Sequence, residues 1–542
     1  MQNLLNSGDC LLYIKSSQYR GLNECGTNFL KEITGLQSSA GAVVLSREKS
    51  SVFVDGRYEL AAKLCIDQTK FEINQFSKKQ IVTWIKNNFK VGSNIYFDAR
   101  FFSHEFMKFF QTELCEYKFI NKNFDRLFNT KIEKRESQII SIPDNRADTK
   151  FDAIYQLIDD RGLDAYLICD PCSIAWLLNI RDLKTEHTPV LLCYLLVTKH
   201  RETILYVDDS YDSTIYKSIS DIESDLKKYN LIGADFAEIP YNILHDGLID
   251  LQNPVDEIKC VKSDEELQNI RIAAKQDSAT IIEFIRWFSE NSSQISEMDC
   301  VRKILQLRKM NESFVGNSFD TIAAADENAA IIHYSPSENQ DKIVENILLL
   351  DSGGQYKYGT TDITRTLSRR TPTETEKLYY TLVLKGHIAV ATAKIPCGES
   401  AASLDSLSRK YLQQHNLDFN HSTGHGIGYM LGVHEGPIAI SKYSTVELKQ
   451  NMLLSNEPGL YLESKIGIRL ENMMVSKISG NYIEFDTISL VPFDRKFINF
   501  ALLDEHEISW LQKYNDHILD NEFLSDDAKK WLIAENYIDR CG

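Results

Sequence analysis

Basic residues are outnumbered in this sequence: 60 Lys and Arg stand against 77 Asp and Glu, a formal net charge of −17. Such a surface repels a phosphate backbone or an anionic lipid layer over most of its area, so neither nucleic acid nor a membrane is an expected partner. Long apolar runs are missing as well. The greasiest stretch, PVLLCYLLV from Pro189, falls far short of the roughly 20 residues a membrane-crossing helix needs. The opening MQNLLNSGDCLLYIK has neither a basic start nor a long apolar segment, so no secretory leader is expected and the expected compartment is the cytoplasm. With 25 Gly and 11 Pro in 542 residues, collagen-like repeats and low-complexity disorder are excluded. The eleven cysteines are spread over the whole length and, without a leader, read as reduced thiols and not as a disulfide framework.

What is present is enough chain for several cores: at roughly 150 residues per domain, three to four domains are expected. Three blocks differ in pattern. The first, 1–143, mixes strand-like runs such as LLYIKS, GAVVLS and SVFVDGRY with the helical KKQIVTWIKNNF, and ends in the polar stretch NTKIEKRESQIISIPDNRADTK, a candidate linker. The second, 146–260, opens with an amphipathic helix whose Ile154, Leu157 and Ile158 share a face, closed by Gly162 before the strand AYLICD. The helical SIAWLLNI and the strands PVLLCYLLVT and ETILYVD continue it. Both blocks alternate strands with helices and begin with a strand, as two copies of one α/β fold would. Cys169 and Cys172 form the one C-x-x-C. No thioredoxin-like setting or second Cys/His pair follows, so they read as small half-buried residues at a strand-to-helix turn.

From 261 to 542 the character changes. SDEELQNIRIAAKQDSATIIEFIRWFSE carries a capping-box pattern, Ser263 and Glu266, and predicts a long helix. In NILLLDSGGQYKYGTTDITRTL the midpoint between Asp351 and Asp362 falls in a turn, so a symmetric hairpin sets these carboxylates opposite each other. Directly opposed residues have Cβ atoms about 5 Å apart, and two like charges that close call for a cation between them. NEPGLYLESKIGIRLEN repeats the arrangement, with Glu457 and Glu471 flanking a three-residue connection centred on Ser464.

Between the two lies HSTGHGIGYMLGVHEGP, with His421, His425 and His434 inside fourteen residues of a chain that has 12 histidines, so the clustering is not chance. The small residues around His421 and His425 let backbone approach closely. Four carboxylates and one imidazole can hold two divalent ions, and this oxygen-rich set suits Mn²⁺ or Co²⁺ better than a thiolate-bound structural zinc. Water between two such charges ionises near neutrality, which makes hydrolysis the expected reaction class.

The segments IIHY, LLLDSGGQYKYGTTDITRT, HSTGHGIGYMLGVHEGP, SNEPGLY and GIRLEN resemble the metal-site signatures of the Xaa-Pro aminopeptidases (aminopeptidase P) of the pita-bread metallopeptidase family. SSAGAVVLSREKSSVFVDGRYELA and DPCSIAWLLNIR resemble the two non-catalytic domains of its three-domain cytosolic form. The resemblance implies two creatinase-like α/β domains followed by a pita-bread catalytic domain, an α/β (α+β) protein. It implies that Asp351, Asp362, His425, Glu457 and Glu471 ligate two metal ions, Mn²⁺ with Co²⁺ or Zn²⁺ as alternatives, and that Asp362 and Glu471 bridge. Glu457 then also serves as general base, while His333, His421 and His434 line the substrate site, His333 and His434 in catalytic roles. Arg57 matches a position that reaches toward the peptide, while Arg469, two residues before Glu471 on the same strand face, either pairs with a ligand carboxylate or meets the peptide.

The implied reaction is hydrolysis of the bond before a proline at position two, by a hydroxide held between the metals. A prolidase-like dipeptidase and a non-catalytic binding module of the same fold are the alternatives. The tail from about Leu502 resembles the helical C-terminal extension that accompanies homodimerisation in this family, although its amphipathic stripe also suits packing within one chain. The stretch DCLLYIKSSQYRGLNECGTN departs from the family pattern.

Overall fold

The computed structural model describes residues 5–17, 19, 22, 28–128, 134–211, 216–535 and 537–538. The unusual stretch near the start therefore lies partly outside the described residues, as do 129–133 of the candidate linker. The chain divides into two compact units, one of residues 1–185 and 189–259, the other of 186–188 and 260–542.

The first unit contains two six-stranded sheets with one topology. In the first sheet Cys10–Ile14 is central, antiparallel to Ala42–Ser46 on one side and parallel to Asn94–Phe97 on the other. Ser50–Val54 then adds antiparallel and Phe71–Gln75 parallel, while Lys118–Asn121 extends the far edge in parallel. The second sheet repeats every step around Ala165–Ile168. Cys193–Thr198 and Thr203–Val207 pair antiparallel, and Lys217–Ser218, Ile232–Ala234 and Leu248–Asp250 pair parallel. The two blocks are copies of one fold, although little residue-level similarity survives between them.

Local signals explain the boundaries. Gly162 closes helix Asp152–Arg161 with φ +62°, a left-handed conformation that favours glycine. Asp170 caps helix Pro171–Leu177 by accepting from the Cys172 and Ser173 amides, with Pro171 in the first turn. Cys169 and Cys172 thus sit at a strand-to-helix turn, buried rather than half-buried. The polar linker is not wholly free: Ile139–Ser141 forms a short antiparallel pair with Ile180–Asp182.

In the second unit, helix Asp264–Glu290 starts at a complete capping box, Ser263 Oγ accepting from the Glu266 amide and the Glu266 carboxylate from the Ser263 amide. A three-stranded antiparallel sheet orders Ile322–Ala325, Ile347–Ser352 and Ile363–Ser368. A six-stranded sheet runs Ile395–Pro396, Tyr482–Thr487, Asn472–Ser479, Leu453–Asn456, Gly424–Gly426, Glu435–Ile440. Helices Glu374–Ala391 and Ala402–Gln413 pack on the six-stranded sheet. The tail forms helices Glu505–Leu519 and Asp526–Ala534. Their apolar stripe, including Leu511, Tyr514, Ile518 and Leu532, is buried in the same core as Ile282, Leu348 and Leu470, so it packs within the chain. No helix among the described residues is long and apolar enough to cross a membrane.

Candidate metal centre

Three strand pairings bring the acids together. In the first, Asp351 faces Thr364 and Ser352 faces Ile363, and the tip pairs Tyr356 with Gly359. The corner is therefore Lys357–Tyr358, and Asp362 lies two residues away from the position opposite Asp351. The expectation of directly opposed acids is corrected: turn geometry sets hairpin register, and this turn is centred one residue later than the midpoint between the acids. Gly359 at the corner packs on the long helix, where a Cβ would lie 3.2 Å from Ile270 Cγ1.

The second pairing has the expected register. Gly459 faces Arg469 and Leu462 faces Ile466, leaving a three-residue connection with Ser464 at φ +58°. Asn456 faces Asn472 in the same register, so Glu457 and Glu471 stand across from each other between two ladders. In the third, His425 faces Ala439 next to a register shift, and its amide donates to Ser455 Oγ at 2.9 Å. Glycine is required there because a Cβ on Gly424 would lie 2.0 Å from the Ser455 carbonyl oxygen, and one on Gly426 2.2 Å from that of Glu435.

His425 Nδ1 faces the Gly426 carbonyl at 2.9 Å. A carbonyl only accepts, so Nδ1 carries the hydrogen and the Nε2 lone pair is directed at carboxylates. Nε2 lies 3.5 Å from Asp362 Oδ2 and 3.4 Å from Glu457 Oε1. Ligand atoms of Asp362, His425 and Glu471 all fall within 4.8 Å of one another. Glu471 Oε2 accepts from Thr364 Oγ1 at 2.7 Å, and Arg469 Nη2 donates to Asp351 Oδ2 at 2.7 Å.

Burial pushes the Asp362 and Glu471 carboxyls well above the usual carboxylate range, and the neighbouring acid charges push them further. Burial also raises Glu457, opposed by His425 and Arg469. Asp351 Oδ1 and Glu471 Oε1 are buried without a hydrogen-bond partner. Buried anionic oxygens left unpaired are unfavourable unless a cation completes them, and an all-oxygen set plus one imidazole suits divalent ions. A second acidic group, Asp170, Glu238 and Asp256 in the first unit, has Lys259 Nζ 3.3 Å from Asp170 and 3.6 Å from Asp256, as Asp351 has Arg469.

Around the acids, Arg469 Nη1 donates to the Tyr461 hydroxyl at 2.8 Å and to the Ile332 carbonyl, beside His333, at 3.3 Å. The Tyr461 hydroxyl lies 3.0 Å from His421 Nε2. His421 Nδ1 faces the Ser422 carbonyl at 2.7 Å, so Nε2 accepts from the tyrosine. The His434 ring stands edge-on to His425 with centroids 4.2 Å apart. Arg57 belongs to the first unit, where its guanidinium forks onto Asp55 at 3.0 and 2.7 Å.

Residues 268–477 match metallopeptidase family M24, 33–124 and 140–266 match creatinase/prolidase N-terminal domains, and 481–536 the C-terminal region of M24 peptidases. A probable Xaa-Pro aminopeptidase P of Fusarium vanettenii is 32% identical over 93% of this chain and 92% of its own length. The chain belongs to metallopeptidase family M24. A similar protein from Pyricularia oryzae is 31% identical over 93% of this chain and 92% of its own. Among solved structures, X-prolyl aminopeptidase from Caenorhabditis elegans, described as a cytosolic enzyme with a di-nuclear active site, superposes with a TM-score of 0.87. It is 28% identical and covers 98% of this chain and 93% of its own. The Pyrococcus horikoshii prolidase, 24% identical with a TM-score of 0.53, shares the fold over 64% of this M24 chain and 99% of its own.

Sequence reasoning missed Tyr461, Thr364 and Ser455 in this M24 site. One signal was available for Tyr461: it alternates with Gly459 along a strand facing Arg469, the residue already singled out. Thr364 and Ser455 each lie two residues from a candidate ligand, Asp362 and Glu457, but their contacts with Glu471 and His425 arise only through long-range pairing.

Proposed function

We infer that this chain is a metal-dependent aminopeptidase that hydrolyses the N-terminal Xaa-Pro bond, releasing the first residue from peptides with proline second. The observation that carries this reading is that Asp362 and Glu457 lie within 3.5 Å of His425 Nε2, with Glu471 grouped beside them and buried oxygens of Asp351 and Glu471 left unpaired, in a chain similar to aminopeptidases P over almost its whole length. Asp351, Asp362, His425, Glu457 and Glu471 would hold two divalent ions. Mn²⁺ is the proposed metal, in keeping with the hard donor set. When bound, the ions activate the attacking water and polarise the scissile carbonyl.

The residues of the chain supply the rest. An amide nitrogen leaves only after it gains a proton, and a prolyl nitrogen offers no N–H by which it can be held. Glu457, with its proton affinity raised by burial, takes a proton from the attacking water and returns it to that nitrogen, releasing a free amino acid and a peptide with N-terminal proline. His333 and His434 orient the carbonyl and flank the proline ring. His421 lines the same site, its Nε2 accepting from Tyr461, which Arg469 and Asp351 hold in turn.

We further propose a division at 1–143, 146–260 and 261–542, a homodimer, and a cytoplasmic location. The two separate sheets support the division, and the likeness to the cytosolic Caenorhabditis enzyme supports the location. The test is hydrolysis of Arg-Pro-Pro, Arg-Ala-Ala and the dipeptide Arg-Pro by metal-stripped protein reloaded with Mn²⁺, beside Asp362→Ala. Release of Arg from the Pro tripeptide alone, lost in the variant, is expected. Preference for the dipeptide would make it a prolidase, and no metal with no cleavage would leave a binding module.

A further inference from the structure

Next to the segments that carry Glu457 and Glu471, a further histidine is fully buried. His387 lies in helix Glu374–Ala391, 0% exposed, and each of its acceptors and donors is spent on the strands that carry Glu457 and Glu471. Its carbonyl accepts from Asn456 Nδ2 at 3.0 Å, one residue before Glu457. Its Nδ1 lies 3.2 Å from the Leu470 carbonyl, one residue before Glu471, and its Nε2 3.1 Å from Asn472 Nδ2, one residue after.

Only one proton arrangement satisfies this set. The Leu470 carbonyl must accept, so Nδ1 carries the hydrogen, and Nε2 accepts from the Asn472 amide. The amide is held from its other end: Asn472 Oδ1 accepts from Arg365 Nη2 at 2.7 Å, and Arg365 Nη1 donates to the Glu471 carbonyl at 2.6 Å and that of Thr364 at 2.7 Å. A second proton on His387 would point at the Asn472 N–H and face Arg365. Burial, with Arg365, pushes its pKa down to about 3, so the ring is neutral. Asn456 and Asn472 are direct cross-strand partners, and His387 joins both.

We propose that His387, acting through Asn472 and Asn456, is a positioning residue that sets the spacing of Glu457 and Glu471 for two metal ions. The proposal rests on the ligand set given above. A histidine retained only for packing would need its ring, which stands edge-on to Phe493 at 5.4 Å, but not the two ring hydrogen bonds to Leu470 and Asn472; the third connection, from Asn456, is to the main-chain carbonyl. Outer groups that orient ligands typically change metal affinity by about 10- to 100-fold when removed.

The experiment uses the full chain, stripped by chelator and titrated with Mn²⁺ by calorimetry, with kcat and KM for Arg-Pro-Pro measured after reloading. His387→Leu is expected to weaken one of the two Mn²⁺ binding steps by about tenfold or more and to lower kcat with KM changed by less than about threefold. His387→Asn, which keeps a donor for the Leu470 carbonyl, is expected to recover part of both. Phe493→Leu, which loosens the same core without touching the hydrogen bonds, should lower Tm and leave both Mn²⁺ steps unchanged. Should His387→Leu fail to fold, Asn472→Ala tests the same connection with the ring in place. The proposal is overturned if His387→Leu or its substitute Asn472→Ala binds two Mn²⁺ as the unmodified chain does. It is equally overturned if affinity falls no more than in a Phe493→Leu protein of equal Tm. An unmodified chain that binds no Mn²⁺ overturns the ligand set itself, and the proposal with it.

Discussion

Arg469 and Asp351 form an ion pair at 2.7 Å with the arginine side chain 2% exposed, and the same guanidinium holds the Tyr461 hydroxyl. Burial opposes the charge on Arg469, but Tyr461, Asp351 and Glu457 hold it protonated. Removing one partner strands the other: Arg469→Met is expected to destabilise the metal-free protein by about 3–5 kcal/mol, seen as a lower urea midpoint. Mn²⁺ should restore part of that, because it supplies a cation to Asp351. Activity should remain depressed on the order of 100-fold, since Tyr461 and His421 lose their alignment. Equal midpoints for the two metal-free proteins would show that the pair contributes nothing to stability.

The raised carboxyls predict an inverted acid response. Asp362, Glu457 and Glu471 have folded pKa values above their unfolded ones, so the native state binds more protons. Their contribution to stability is present below the ordinary carboxylate range and is lost as pH rises through the raised values. Metal-free protein should therefore be less stable than metal-free Asp362→Asn at about pH 7, with the gap closing toward about pH 5. In Mn²⁺ the order reverses, because binding needs the deprotonated acids. Tm measured against pH in chelator and in Mn²⁺ checks both signs. A constant gap in chelator would contradict the crowding of the acids.

Gly424→Ala places a Cβ against the Ser455 carbonyl, with backbone on both sides and no flexible atom to yield. A loss of about 1–3 kcal/mol is expected, together with weaker Mn²⁺ binding, because His425 and Ser455 move together. Gly398→Ala serves as a comparison, since its φ of +93° strains a side chain although open space surrounds it. That variant should lose stability without losing metal.

The C-terminal helix is tied to the metal strands by one hydroxyl. Tyr514 donates to the Val491 carbonyl at 2.7 Å and accepts from Arg365 Nη2 at 2.9 Å and the Val491 amide at 3.0 Å. Tyr514→Phe leaves the buried Val491 amide without its partner, while Arg365 Nη2 keeps Asn472 Oδ1 and the Val491 carbonyl, for an expected loss of about 1–3 kcal/mol. The readout is the urea midpoint of the metal-free chain, and an unchanged midpoint would mean that water replaces the hydroxyl.

Several features were legible in the residues alone because their causes are local. A capping box at Ser263, a glycine stop at Gly162 and a three-residue turn centred on Ser464 act over a few positions, and the structure has each where the spacing puts it. The identity of the five candidate ligands came from motif resemblance, which preserves residue type and order. Where the cause lay elsewhere in the chain, counting failed. The Asp351 hairpin turns one residue later than its midpoint, at a corner that packs on the distant Ile270, and no symmetry between the acids records that.

The sequence by itself determined which side chains are available, the hairpin that opposes Glu457 to Glu471, and the repeated strand and helix order of the first two blocks. Only the tertiary structure decided that Arg469 neutralises Asp351, that the terminal helices complete the catalytic core, and that His387 and Arg365 converge on Asn472. Buried polar groups must find partners wherever the fold brings them. His387 and Asn472, separated by 85 positions, meet for that reason, and no periodicity or spacing in the chain encodes such a meeting.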